Sequence, residues 1–143
     1  MSQRALVLDA NILIRAVLGD RVRNLISEYA NRVHFFAPDT AYAEAREHLP
    51  VLLEKRGVDG DAALAVLDAL ESVVRVVDAE VYGERQRDAL ARIADRDPDD
   101  WQALACALVL GCAVWTEDAD FFGTGVATWI TSRVRLCLAA HEP

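Results

Sequence analysis

Apolar and polar positions along this chain fall into alternating strand-like and helix-like stretches. Leu6, Val7 and Leu8 form an unbroken apolar run that predicts a short buried strand over Arg4–Leu8. The run after Asn11 begins a helix over residues 12–18, so Asp9 and Asn11 fall at the strand-to-helix junction. Gly19 and Asp20 separate it from a second helix at about 21–32, with Val22, Leu25, Ile26 and Tyr29 on one face. Residues 33–37 read as a second strand. Pro38 and Asp39 open a third helix, which ends near Pro50 and has Asp39 or Thr40 as its cap. After the turn-rich GVDGD at 57–61, a helix is expected over 62–70 and a β-branched strand over 73–77. A polar helix over 79–94 runs into RDPDDW at 96–101. Pro98 suits the first position of the next helix, 99–110, which Gly111 stops. Strands at 112–115 and 126–130 and a closing helix at 132–140 complete the chain.

Strands alternate with helices throughout, which predicts an α/β fold: a three-layer α/β/α sandwich around a central parallel five-stranded sheet. With 143 residues, 53% of them hydrophobic, one domain over 1–143 can bury its own core. The net charge of −8 argues against a protein that coats itself with nucleic acid through a basic surface. It leaves room for an enzyme acting on phosphates, because a bound divalent cation reverses the local sign of an acidic pocket. Cys106, Cys112 and Cys137 have no metal-ligand spacing and sit in apolar surroundings, which favours buried thiols and a reducing compartment. The opening MSQRALVLD is too short in apolar residues for a signal peptide, and no run reaches membrane-spanning length, so a cytoplasmic protein without membrane association is expected.

The acids change the picture. In open parallel sheets, ligands bind in the crevice beyond the carboxyl ends of the strands. Asp9 ends the first strand there, and Asp118 and Asp120, in WTEDADF at 115–121, follow the fourth. Asp97, Asp99 and Asp100 begin the helix that leads into that fourth strand, so they point to the same edge. Each has an ordinary reading taken alone. Asp9 suits a helix cap, Asp99 and Asp100 suit the first turn of a helix, and Asp118 and Asp120 suit a turn. Glu44 flanks the small apolar stripe of Ala41, Tyr42, Ala45 and Leu49, so periodicity makes it a solvated residue, with His48 one turn further on. Jointly these readings weaken, because like charges gathered at one edge force protonation unless a cation offsets them. Carboxylates and water suit Mg²⁺ or Mn²⁺, while three His and apolar-set Cys make zinc a poor fit.

At these residues the sequence resembles the PIN-domain nucleases, of the kind that serve as VapC-like toxins in toxin–antitoxin pairs. LVLDANILI at 6–14 resembles the opening strand with its D-x-N, and VWTEDADFFGTGVATWIT at 114–131 the W/T-x-D-x-D-F segment. APDTAYAEAREHL resembles the helix bearing the second acid and DPDDWQALACAL the helix that begins with the third. The resemblance spans essentially the whole chain; residues 51–96 carry no recognised motif.

The resemblance implies a metal-dependent ribonuclease that hydrolyses RNA phosphodiester bonds with one or two Mg²⁺ or Mn²⁺ ions, commonly a homodimer and held by an antitoxin partner. It implies Asp9, Glu44, Asp100 and Asp118 as the four acids, Asn11 and Thr116 as supporting polar positions, and Asp120 as a further acid. Asp97, Asp99 and Asp100 compete for the third place, and Asp100 is chosen for its distance from the Ala-rich body of the helix. In this scheme Asp9 and Asp100 hold metal directly and Asp118 directly or through water, Glu44 joins the metal set by holding a metal-bound water or helps take its proton, Asn11 orients Asp9 or its water, and Thr116 fixes the turn bearing Asp118. Arg15, one turn beyond Asn11, is a candidate phosphate contact beside the reading of a plain surface Arg. Two alternatives stand: a catalytically silent PIN-like binding module, and an Asp9-nucleophile phosphatase, which the residue two positions on, Asn11 where an acid is needed, disfavours.

Overall fold

The computed structural model describes residues 4–140; the first three residues, part of the leader expectation, lie outside it. The strands are β1 (Arg4–Leu8), β2 (Val33–Pro38), β3 (Val74–Val77), β4 (Ala113–Trp115) and β5 (Thr128–Trp129). They form one parallel sheet in the order β3-β2-β1-β4-β5. Helices α1 (Ala10–Leu18), α2 (Asp20–Tyr29), α3 (Asp39–Glu54) and α4 (Gly60–Leu70) fill the connections on one side of the chain's first half. The second half adds α5 (Ala79–Tyr82), α6 (Gln86–Ile93), α7 (Trp101–Leu110) and α8 (Val134–Leu138).

The expected three-layer sandwich follows from how β1 alternates. Leu6 and Leu8 pack into one core with α1 to α4 and α8, whereas Val7 and Val114 pack into the other with α5, α6 and α7. All three β1 side chains are fully buried because both sheet faces are covered, which is why the strand reads as a continuous apolar run.

Several boundaries differ from the sequence reading. Helix α3 continues past Pro50 to Glu54. Pro50 gives up its own N–H bond, but Leu49 and Leu53 are buried on the core side, and that burial carries the helix through. Neither Asp39 nor Thr40 caps α3; Asp39 instead accepts the Tyr82 hydroxyl at 2.6 Å, tying the start of α3 to α5. The polar stretch 79–94 is broken into α5, a 3₁₀ turn at Gly83–Arg85, and α6. The stretch 99–110 likewise begins as a 3₁₀ turn at Pro98–Asp100 before α7. Strand β5 and helix α8 are shorter than expected, and Cys112 is only half-buried, unlike Cys106 and Cys137.

Gly111 ends α7 in the left-handed region at φ 64°, and its N–H bonds back to the Ala107 carbonyl's helix end. A Cβ there would meet nothing within 4 Å, so Gly111→Ala tests the backbone alone. It is expected to cost about 1–2 kcal/mol, read by chemical denaturation as a lower midpoint at unchanged slope. Among the described residues, no helix is long and apolar enough to cross a membrane.

Candidate active site

Strand order reverses at the centre of the sheet, where β1 is followed in space by β2 on one side and β4 on the other. The connections leaving β1 and β4 therefore part to opposite faces and leave a crevice beyond their carboxyl ends. A cleft of about 640 Å³ opens there, and Asp9, Glu44, Asp99, Asp100, Glu117 and Asp118 all line it.

Local backbone chemistry aims these groups. Asp9 follows β1 in extended conformation and caps α1, its Oδ1 accepting the Ile12 N–H at 3.1 Å. Its Oδ2 accepts a short hydrogen bond from the Thr116 hydroxyl. Thr116, fully buried at the end of β4, in turn accepts the Asp118 N–H on the same Oγ1 at 2.9 Å. One hydroxyl thus joins the ends of two adjacent strands. Asp118 Oδ1 accepts the Asp120 N–H at 2.9 Å, and Asp97 Oδ1 accepts the Asp99 N–H at 3.0 Å. The cap and turn readings of these acids hold, and they are also what fixes the carboxylates around the crevice.

Negative charge outweighs positive there, with six acids lining the cleft beside Arg15 and His48. Burial pushes the Asp9 carboxyl up to about 6; hydrogen bonds from Thr116 and Ile12 partly offset this, and the charges of Asp118 and Glu44 add to it. Asp100 is pushed up to about 8, first by burial, then by the hydrogen bond that its protonated form gives Asp118, then by the charges of Asp118, Asp97 and Asp9. Its Oδ2 is buried and has no hydrogen-bond partner among the described residues. Carboxylate oxygens of Asp97, Asp100 and Asp120 lie within 4.8 Å of one another, so Asp100 stands between the cleft acids and a second acidic pair. A buried acceptor without a donor, in an all-oxygen set of crowded carboxylates, fits a hard divalent cation.

The sequence matches the PIN domain family over residues 7–139. The chain belongs to the PIN domain family. Solved structures share the fold. The protein PAE2754 of Pyrobaculum aerophilum aligns with a TM-score of 0.68 at 20% identity, over 97% of this chain and 91% of that one. The DNA-bound VapBC of Salmonella typhimurium aligns at 0.65 and 19% identity, covering 90% and 99%. FitAcB of Neisseria gonorrhoeae aligns at 0.60 and 19% identity, covering 89% and 98%. No curated protein matches by sequence at a significant level.

Within this PIN domain the expected site residues divide into groups. Asp9, Glu44, Asp100 and Asp118 come together around the cleft. Glu44 keeps its side chain 58% exposed, as its flanking position on α3 requires, but the solvent it meets is that of the cleft, and its charge is felt at Asp9. Asp97 and Asp120 do not line the cleft; they lie beside Asp100. Asn11 does not orient Asp9. Its Oδ1 accepts the Arg15 Nε–H at 2.9 Å, and Thr116 is the residue that holds Asp9. Glu117 was not singled out from sequence, yet it lines the cleft and its Oε1 accepts the Thr131 N–H at 2.8 Å. Thr131 Oγ1 accepts the Trp115 indole N–H at 3.1 Å, so the turn after β4 is fastened to the chain leaving β5. The signal for Glu117 was its place between Thr116 and Asp118 in that turn.

Proposed function

We propose that this PIN domain is a metal-dependent ribonuclease hydrolysing RNA phosphodiester bonds, and the toxin of a toxin–antitoxin pair. The observation that carries the reading is Asp100: a buried carboxyl with an unpartnered oxygen, surrounded by acids at the crevice where β1 and β4 end. Asp9, Asp100 and Asp118 would hold one or two Mg²⁺ or Mn²⁺ ions, with Asp97 and Asp120 supporting Asp100 from the side away from the cleft. The cation, when bound, supplies a water nucleophile at neutral pH and relieves charge on the departing oxygen. Glu44, exposed on the cleft wall, orients that water or takes its proton. Thr116 holds Asp9 and the Asp118 turn in one register. The antitoxin partner rests on the fold shared with VapBC and FitAcB; a homodimer rests on the resemblance to PIN toxins.

The decisive experiment incubates purified protein with varied RNAs, with Mn²⁺ or with chelator, beside an Asp9→Asn control. Cleavage that needs Mn²⁺ and Asp9 supports the enzyme; its absence with every RNA leaves a binding module. The phosphatase alternative meets a specific obstacle, because both Asp9 oxygens are engaged by Ile12 and Thr116 and Asn11 is tied to Arg15. Thr116→Val keeps the side-chain volume but removes both hydrogen bonds. It is expected to lower kcat by about 10–100-fold, the scale for losing a partner that orients a metal ligand. Unchanged kcat with full secondary structure by circular dichroism would count against this role.

A further inference from the structure

The nuclease reading leaves a difficulty: six acids line the cleft, and RNA is itself an anion. Among the residues lining it, only Arg15 and His48 can carry positive charge. Their placement is regular. Arg15 stands one turn beyond Asn11 on α1, and His48 one turn beyond Glu44 on α3, its Nε2 3.8 Å from Glu44 Oε1. Both helices begin at the carboxyl edge of the sheet and pack against each other. The two bases therefore flank the same groove about 5.4 Å further out than the first-turn polar residues.

Arg15 is the arginine that lines the cleft, and it is not held by an acid. Arg23, Arg46, Arg85, Arg92 and Arg135 are each tied to carboxylates. Arg15 has no carboxylate partner among the described residues; its Nε–H donates to Asn11 Oδ1, which leaves both Nη groups and the Asn11 amide nitrogen as unused donors on the cleft wall. The same cleft also carries half-buried Ile14 and Leu52, each on the helix that bears one of the two bases.

We propose that Arg15 and His48, with the Asn11 amide, form a subsite for the phosphate next to the scissile one, and that Ile14 and Leu52 receive the adjoining unstacked base. The subsite rests on the nuclease reading, and it is filled at least cost by an unpaired nucleotide, because a paired base must first leave its stack to enter the groove.

The test measures steady-state cleavage of a short fluorescent single-stranded RNA at fixed Mn²⁺. Arg15→Gln and His48→Gln are each expected to raise KM about tenfold, the worth of one charge-assisted contact, and for Arg15, which does not touch Glu44, the effect falls on KM and not kcat. Arg15→Gln is also expected to reduce the slope of log KM against log salt by about 0.7, as one lost phosphate contact requires on a single strand, and Arg15→Lys to restore that slope. The same RNA annealed to its complement is expected to be a poor substrate. Unchanged KM and salt slope in the variants, a loss confined to kcat, or equal cleavage of the duplex would each overturn the subsite. Failure of the unsubstituted protein to cut RNA with Mn²⁺ would instead remove the nuclease reading beneath it, before any variant is compared.

Discussion

Asp100→Asn is expected to abolish Mn²⁺-dependent RNA cleavage and, in the same protein without metal, to raise the melting temperature. The two effects have one origin. Asp100 is held where its ionised form is disfavoured, with a buried oxygen that nothing in the described chain satisfies and a hydrogen bond to Asp118 that only its protonated form can give. An amide of the same shape gives Asp118 that hydrogen bond at every pH and carries no charge to desolvate, so the folded state gains. The gain is expected to be larger at pH 8 than at pH 5, because the unsubstituted protein pays more to hold a proton on Asp100 as pH rises. Each kcal/mol gained moves the midpoint by about 2–4 °C in a domain of roughly this size. The amide cannot serve as an anionic metal ligand. Its loss is therefore expected to exceed the ~10–100-fold that removing an outer partner of a ligand costs. Differential scanning fluorimetry in chelator at both pH values, beside a cleavage assay, reads both signs. Retained cleavage, or a melting temperature lowered at both pH values, would show that Asp100 is an ordinary helix-start acid.

Much of this site was legible because the same residues perform two tasks that sequence can separate. Asp9 reads as a helix cap from its place after an apolar run and as a site residue from its place at a strand end, and the structure gives it the cap to Ile12. The strand order that places β1 beside β4 follows from parallel alternation only up to a choice of neighbours, and it is that choice which brings Thr116 to Asp9. Partners distant in sequence were harder. Asn11 and Thr116 are both short polar residues near an acid, and nothing local distinguishes the one that holds Asp9 from the one that holds Arg15. Pro50 looked like the end of α3 because its lost N–H bond is written in the sequence, whereas the burial of Leu53 that outweighs it depends on tertiary packing. The break at Gly83 in the stretch 79–94 was equally hidden: Tyr82 is buried against Trp101 and hydrogen-bonded to Asp39, so α5 is positioned by contacts from two other segments, α7 and the start of α3.

Adding Mn²⁺ at pH 7 is expected to expel roughly one proton per protein and to reverse the dependence of stability on pH. Without metal, Asp100 sits near 8 and is mostly protonated at pH 7, while Asp9 sits near 6 and is mostly ionised. Both folded values lie above the ordinary 3.8 that the unfolded chain returns to. A raised carboxyl favours the folded state least where it must ionise, so its contribution is complete below about 4 and is lost as pH rises through about 6 for Asp9 and about 8 for Asp100. The metal-free melting temperature should accordingly fall across that interval. A bound cation requires the same carboxylates to be ionised, which draws their folded values below the unfolded ones. Stability in Mn²⁺ is then present at neutral pH and lost on acidification, so the two curves converge at low pH, where protons displace the ion, and separate as pH rises. Calorimetric titration of Mn²⁺ in buffers of different ionisation enthalpy counts the protons, and melting curves with Mn²⁺ or chelator give the slopes. Parallel melting curves together with no proton release would mean that the acids at the ends of β1 and β4 are not the place where the cation binds, because no ion can occupy Asp100 and leave its proton where it was.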